Sequence, residues 1–292
     1  MFQGALSKRS VTTRESASPP NTSSNRDEPS GSSSQEDSRR SDTTPPSIQI
    51  ANLTKSYNDA LVFGGLDLSI EPGEFVCLLG PSGCGKTTLL HLIAGLEVAD
   101  SGIIRIDGAP VTGTSKTRGI VFQEPRLYPW LTVRNNVAIG PRLRGEEPNF
   151  EYIDELLELV GLSDASGLTP ENLSGGMAQR ASVARTLANE PDLLLLDEPF
   201  GALDQLTKMG LQDELRRIVD EFSLTTVFVT HDIDEAVYLA DRVIVLGSAN
   251  QAIRGSVDTH EAARSQEDTH SMECRQALFE LLRDDIEEQL AG

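Results

Sequence analysis

One segment constrains this chain more than any other: EFVCLLGPSGCGKTTLLHLIAGL, Glu74 to Leu96. An unbroken apolar run leads into a glycine-rich loop, and the loop opens a helical pattern. Short apolar runs of this kind suit strands buried on both faces, as in a parallel sheet. The loop GPSGCGKTT, Gly80 to Thr88, has the spacing G-x-x-x-x-G-K-[ST] in the strand-to-helix setting that a phosphate loop requires. Its residues are Gly80, Pro81, Ser82, Gly83, Cys84, Gly85, Lys86, Thr87 and Thr88. Glycines let backbone N–H groups turn inward around phosphates, and a helix N-terminus adds positive potential. Lys86 can reach β- and γ-phosphates, and Thr87 offers a hydroxyl to Mg²⁺. Cys84 inside the loop is either a small filler or an oxidation-sensitive thiol.

Similar apolar runs recur at DLLLLDEP (Asp192–Pro199), TTVFVTHD (Thr225–Asp232) and DRVIVLG (Asp241–Gly247). Helical patterns lie between them: EYIDELLELVGL, GMAQRASVARTLAN and KMGLQDELRRIVDEF. Strands alternating with helices predict an α/β domain. SIQIANLT, from Ser47, alternates and is expected as an edge strand. Residues 1–46 are rich in Ser, Thr, Pro and charge and predict a disordered tail. The domain proper is expected over 47–260, with a mainly helical subdomain at about 124–189. A helical extension is expected over 261–292.

The formal charge is −20. The acids and bases of the tail balance, so the folded part carries the net charge. Such a surface repels DNA and anionic lipid at long range, which argues against a nucleic-acid partner. Only five residues are lysine. A salt-rich cytoplasm and a plain arginine bias both account for that. No apolar stretch is long enough to span a membrane. The N-terminal segment lacks the apolar core of a secretory signal. Three unpatterned cysteines point to a reducing compartment.

Two further stretches carry chemistry. LLLLDEP ends a buried run in adjacent carboxylates. Neighbours on a strand point to opposite faces, so Asp197 and Glu198 are expected to differ in role. Asp197 suits Mg²⁺ and Glu198 suits polarising a water. In LSGGMAQRASVARTLA, Leu173 to Ala188, a glycine pair opens a helix with Ser174 as its expected N-cap. A capped helix start with bare glycines is also an anion site.

Together these pieces resemble the nucleotide-binding subunits of ATP-binding cassette (ABC) transporters, over about Ser47 to Gly247. GPSGCGKTT matches the Walker A loop, LSGGM the signature and LLLLDE the Walker B strand. Gln123 in VFQEPRLYPWLTV matches the Q-loop, GALD (Gly201–Asp204) the D-loop, His231 in VTHD the switch histidine, and Tyr57 the aromatic that stacks on adenine. Met177 stands where many members have Gln, and Ala178 where a basic residue is frequent. The wording FQEPRLYPWLTVRNNVAIG and DEPFGALD looks most like the nitrate, sulfonate and taurine importer branch. Too few residues follow His231 for the extra β domain of sugar and polyamine importer ATPases.

The resemblance implies a P-loop NTPase core with a mainly parallel sheet, an antiparallel β edge and a helical subdomain. It implies an ATPase that uses ATP and Mg²⁺ as a homodimer, peripheral on the cytoplasmic face of a membrane. The partners would be integral permease subunits and, indirectly, an extracytoplasmic binding protein. Glu198, His231 and Gln123 would be catalytic. Thr87, Gln123 and Asp197 would serve the metal. Tyr57, the Walker A residues, Ser174, Gly175, Gly176 and Asp204 would bind nucleotide, the signature of one copy facing the Walker A loop of the other. Tyr128, Pro129 and Trp130 are expected to line a groove for a permease helix, with core packing the competing reading for Trp130. A soluble cassette ATPase is the alternative, as is an importer ATPase for another substrate.

Overall fold

The computed structural model describes residues 44–58, 60–201, 203, 205–247, 252–260 and 269–291. Residues 1–43 of the expected tail, Asp204, and residues 261–268 of the expected C-terminal extension lie outside the described residues.

The strands are β1 (Ile48–Tyr57), β2 (Ala60–Ile70), β3 (Phe75–Leu79), β4 (Ser101–Ile106), β5 (Ala109–Pro110), β6 (Arg118–Val121), β7 (Leu193–Asp197), β8 (Thr225–Thr230), β9 (Arg242–Leu246) and β10 (Ile253–Asp258). The helices are α1 (Lys86–Ala94), α2 (Val133–Val137), α3 (Ile139–Leu143), α4 (Phe150–Leu159), α5 (Gly175–Leu187), α6 (Gln205–Phe222), α7 (Ile233–Leu239) and α8 (Thr269–Ala291). Among the described residues no helix is long and apolar enough to cross a membrane.

A six-stranded sheet runs in the order β10-β9-β3-β8-β7-β6. Its inner pairs are parallel, and only β10 lies antiparallel, along β9. The apolar runs explain this arrangement. Every residue of β3, β7 and β8 is buried. Phe75, Cys77 and Leu79 join the core on one face, and Val76 and Leu78 the core on the other. Leu194 and Leu196, against Leu193 and Leu195, repeat the division in β7. Each such Leu contributes about 1.5–3 kcal/mol through burial, and both faces must be covered for that gain. The helices α4, α5 and α6 cover one face, and α1 with the second sheet covers the other.

The second sheet is antiparallel, in the order β2-β1-β4-β5. SIQIANLT is therefore not an edge strand, because β1 pairs with β2 on one side and β4 on the other. Its alternation reports that one face is buried and is silent on whether its edges are paired.

Local capping sets the helix starts. Asn149 caps α4, Ser174 caps α5 and Asp232 caps α7, each accepting a backbone N–H with its side chain. At the other end of α1, Gly95 takes a left-handed φ of 76°, and its N–H and that of Leu96 close onto Leu92 and His91 carbonyls. A Cβ on Gly95 would overlap the Gly113 carbonyl. Gly95→Ala is thus expected to lower unfolding stability by at least about 2 kcal/mol, from strain plus overlap. Urea denaturation should show a lower midpoint with an unchanged slope.

Candidate functional site

Register puts the candidate residues at one edge of the six-stranded sheet. Leu79 lies opposite Thr230 and Val245, Asp197 opposite Val229, and Val121 opposite Leu196. The carboxyl ends of β3, β6, β7 and β8 are therefore level. Gly80, Gln123, Glu198 and His231 each follow within two residues of a strand end. In open α/β sheets this edge is where ligands bind.

The loop from Gly80 to Gly85 is held by contacts that exclude side chains. A Cβ on Gly80 would sit 2.7 Å from the Leu246 carbonyl and 2.8 Å from the Cys84 sulfur. Gly85 has φ 99°, and a Cβ there would lie 2.6 Å from both Val62 and Phe63 side-chain carbons of β2. Ser82 and Gly83 are exposed at the loop's open side. Cys84 is half-buried, and its thiol packs beside Gly80. The start of α1 carries no side-chain cap, which leaves its first-turn N–H groups for an anion. Lys86 is 6% exposed, and its amine donates to the carbonyls of Gly80 (2.7 Å) and Pro81 (2.9 Å).

The Thr87 hydroxyl donates to Asp197 at 3.0 Å. Burial pushes the Asp197 carboxyl above its ordinary value, and the Thr87 bond opposes that rise. A cation beside it would favour the charged form, as any opposite charge does. Among the described residues no group of three His, Cys, Asp or Glu side chains could hold a metal. One hydroxyl and one carboxylate suit a hard cation that completes its shell with water and phosphate oxygens, as Mg²⁺ does.

Glu198 lies beyond β7 with a left-handed φ of 42°. It stands one residue past the strand, so the turn as well as the pleat sets its direction relative to Asp197. Its carboxylate lies 3.3 Å from His231 Nδ1. His231 is otherwise largely exposed. Gln123 is exposed, and its amide and the Glu198 carboxylate both approach Gly201, at 3.6 and 3.8 Å from the position of an added Cβ.

Tyr57, at the end of β1, is 41% exposed. Its hydroxyl donates to the Glu97 carboxylate, and the Lys55 amine lies 4.9 Å from its ring centre. Desolvation raises the Tyr57 phenol above its ordinary value, with Glu97 adding to the rise. Neither Glu97 nor Lys55 was signalled by any motif. Val62 and Phe63, which shape the phosphate loop, are likewise unmarked in the sequence.

The glycine pair opens α5. Ser174 caps α5, its oxygen accepting the Met177 N–H at 3.3 Å. Ser174 and Gly175 are exposed, while Gly176 is buried. A Cβ on Gly175 would meet nothing closer than Leu203 at 4.0 Å. The turn thus exposes the backbone of its first glycine. The segment after Gln123 is fixed by the fully buried Asn136, which accepts the Tyr128 N–H at 2.7 Å and donates to the Tyr128, Leu131 and Thr132 carbonyls. Arg185 of α5 holds the Pro125 and Arg126 carbonyls. Trp130 stands 73% exposed with Tyr128 beside it, which overturns core packing for the tryptophan.

A phosphate loop pinned between two sheets, at the carboxyl edge of parallel strands, defines a P-loop nucleotide-binding protein. Residues 63–201 match the family model described as ABC transporter. The chain is 47% identical over 208 residues to a bicarbonate transport ATP-binding protein of Synechococcus elongatus, covering 68% of this chain and 31% of that protein's length. It is 46% identical over 203 residues to an aliphatic sulfonates import ATP-binding protein of Burkholderia cenocepacia, covering 69% of this chain and 74% of that one. Among solved structures, a dimeric ATP-binding cassette in a post-hydrolysis state bound to ADP and Pi aligns with a TM-score of 0.65 and 31% identity, over 73% of this chain and 98% of that one. The chain belongs to the ABC transporter ATP-binding family.

Lys86→Met should keep the fold, since its methylene stem and burial are retained. Loss of a charged donor is worth about 1.5–3 kcal/mol, so nucleotide affinity should fall at least about tenfold. Titration with a fluorescent ATP analogue, beside an unchanged Tm, checks this. Unchanged affinity would remove Lys86 from the site.

Proposed function

We propose that this chain is the ATP-hydrolysing subunit of an importer, working as a homodimer on the cytoplasmic face of a membrane. It would drive a small anion, of the nitrate, sulfonate or taurine type, through a separate integral permease fed by an extracytoplasmic binding protein. The observation that carries this reading is the split site. Walker A, Glu198, Gln123 and His231 share one sheet edge, while Ser174 and Gly175 of the capped glycine turn are exposed. An exposed anion-binding turn is half of a site, and a second copy would supply the other half. The names of the bicarbonate and sulfonate relatives support a small oxyanion as cargo.

In this reading Tyr57 offers its ring to adenine. The N–H groups of Gly80 to Thr88 surround the phosphates, and Lys86 turns its amine from loop carbonyls to β- and γ-oxygens. Mg²⁺, held by Thr87 and Asp197 with Gln123 nearby, would neutralise charge on those oxygens. Glu198 orients a water in line with the γ-phosphorus and takes up its proton. His231 contacts Glu198 through one nitrogen and would steady the γ-phosphate with the other. Most of the acceleration would come from such positioning and charge stabilisation. Ser174, Gly175 and Gly176 would close on the ATP of the partner copy, and Asp204 would also serve nucleotide binding. The rigid loop bearing Tyr128, Pro129 and Trp130 would receive a cytoplasmic helix of the permease. Recovery of an integral membrane partner with the tagged chain tests the transport role.

Glu198→Gln should lower turnover at least about hundredfold, keep ATP binding and trap an ATP-bound dimer visible by light scattering. Turnover like the wild type would exclude Glu198 as the water-orienting base. Ser174→Arg should bind ATP normally yet neither dimerise nor hydrolyse it. A variant that still closes and turns over would break the half-site reading.

A further inference from the structure

His231 is largely exposed, and its ring contacts Glu198. Its orientation therefore depends on the backbone between β8 and α7. Both residues flanking it are tied into one cluster. The Thr230 hydroxyl donates to Glu235 and accepts the Asp232 N–H at 3.1 Å. One Asp232 oxygen caps α7, accepting the N–H groups of Asp234 (2.9 Å) and Glu235 (3.3 Å). The other accepts the Lys208 amine at 2.6 Å, and Glu235 contacts the same amine at 2.8 Å. Glu235 is 5% exposed and Thr230 2%.

Lys208 is the one member from outside this stretch of chain. It lies in the first turn of α6, just past the segment that packs at Gly201 against Glu198 and Gln123. Burial alone would lower its pKa, and the Asp232 and Glu235 carboxylates outweigh that and hold it above the ordinary value. Asp232 is correspondingly held low, despite its burial, by Lys208. The ammonium is thus the shared counter-ion of two partly buried carboxylates, and removing it leaves two like charges facing each other.

We propose that Lys208 is a positioning residue that holds the turn carrying His231 against Glu198. This rests on the role given to His231 above. It also links α6 to that turn, so a shift of the helix is felt at the imidazole.

The test is steady-state ATP hydrolysis and nucleotide affinity on the full chain. Lys208→Met is expected to lower kcat about tenfold or more with ATP affinity within about threefold, because the nucleotide contacts lie elsewhere. Lys208→Arg should restore kcat to within about threefold. Asp232→Asn keeps a good N-cap residue while removing the charge on Lys208's partner, so it carries the test if Lys208→Met fails to fold. It too should lower kcat with affinity retained. In a His231→Ala background neither variant should lower kcat further, since the two residues act as one unit. Folded Lys208→Met or Asp232→Asn with normal kcat, or an equal fall in both backgrounds, overturns the proposal. Normal turnover in His231→Ala alone would instead overturn the role of His231 itself, and this inference with it.

Discussion

The site depends on strands that are short, buried on both faces and level at their carboxyl ends. Five-residue strands such as β3 and β7 have no exposed face on which to slip. A shift of one residue would exchange two cores, because alternate side chains belong to different clusters. Register is therefore fixed by packing. Register in turn sets which residues emerge at the edge, and there Thr87 bonds Asp197 and His231 contacts Glu198, tying the phosphate loop, the two acids and the histidine together.

Which residues gather at that edge was largely legible in the sequence. The phosphate loop announces itself through glycine spacing and a strand-to-helix setting, and the paired acids through the apolar run before them. The serine before the glycine pair reads as a cap, and it is one. Other features were not legible, for physical reasons. β6 has four residues, includes Gly119 and lies at the sheet edge, so it has no run long enough to read. β1 shows the alternation of a half-buried strand, a pattern that central and edge strands of an antiparallel sheet share. The left-handed turn at Glu198 has no marker, because a non-glycine residue there is imposed by tertiary context.

Side-chain partners that come from distant segments form a second class of hidden features. Phe63 and Val62 are ordinary strand residues until the fold sets them against Gly85. Glu97 is an ordinary acid until it meets Tyr57. The helical region is joined to the strand edge through similar contacts. Gln179 of α5 donates to the Phe122 carbonyl beside Gln123, and Arg185 reaches two carbonyls just beyond it. The start of α5 carries the glycine turn and its later turns grip the loop after Gln123, so one rigid rod spans both.

The knot at Asn136 has a consequence for recognition. A surface loop that presents a bare tryptophan would ordinarily lose conformational freedom when a partner covers it. Here one buried amide makes four bonds to the loop's own backbone, and the ring of Tyr128 lies against that of Trp130. The loop is shaped before anything touches it, so little ordering entropy remains to be lost on contact. A small patch can then engage more firmly than its area alone would allow. Because the patch is stiff, a push delivered to it travels into the protein as displacement instead of being absorbed as local flexing.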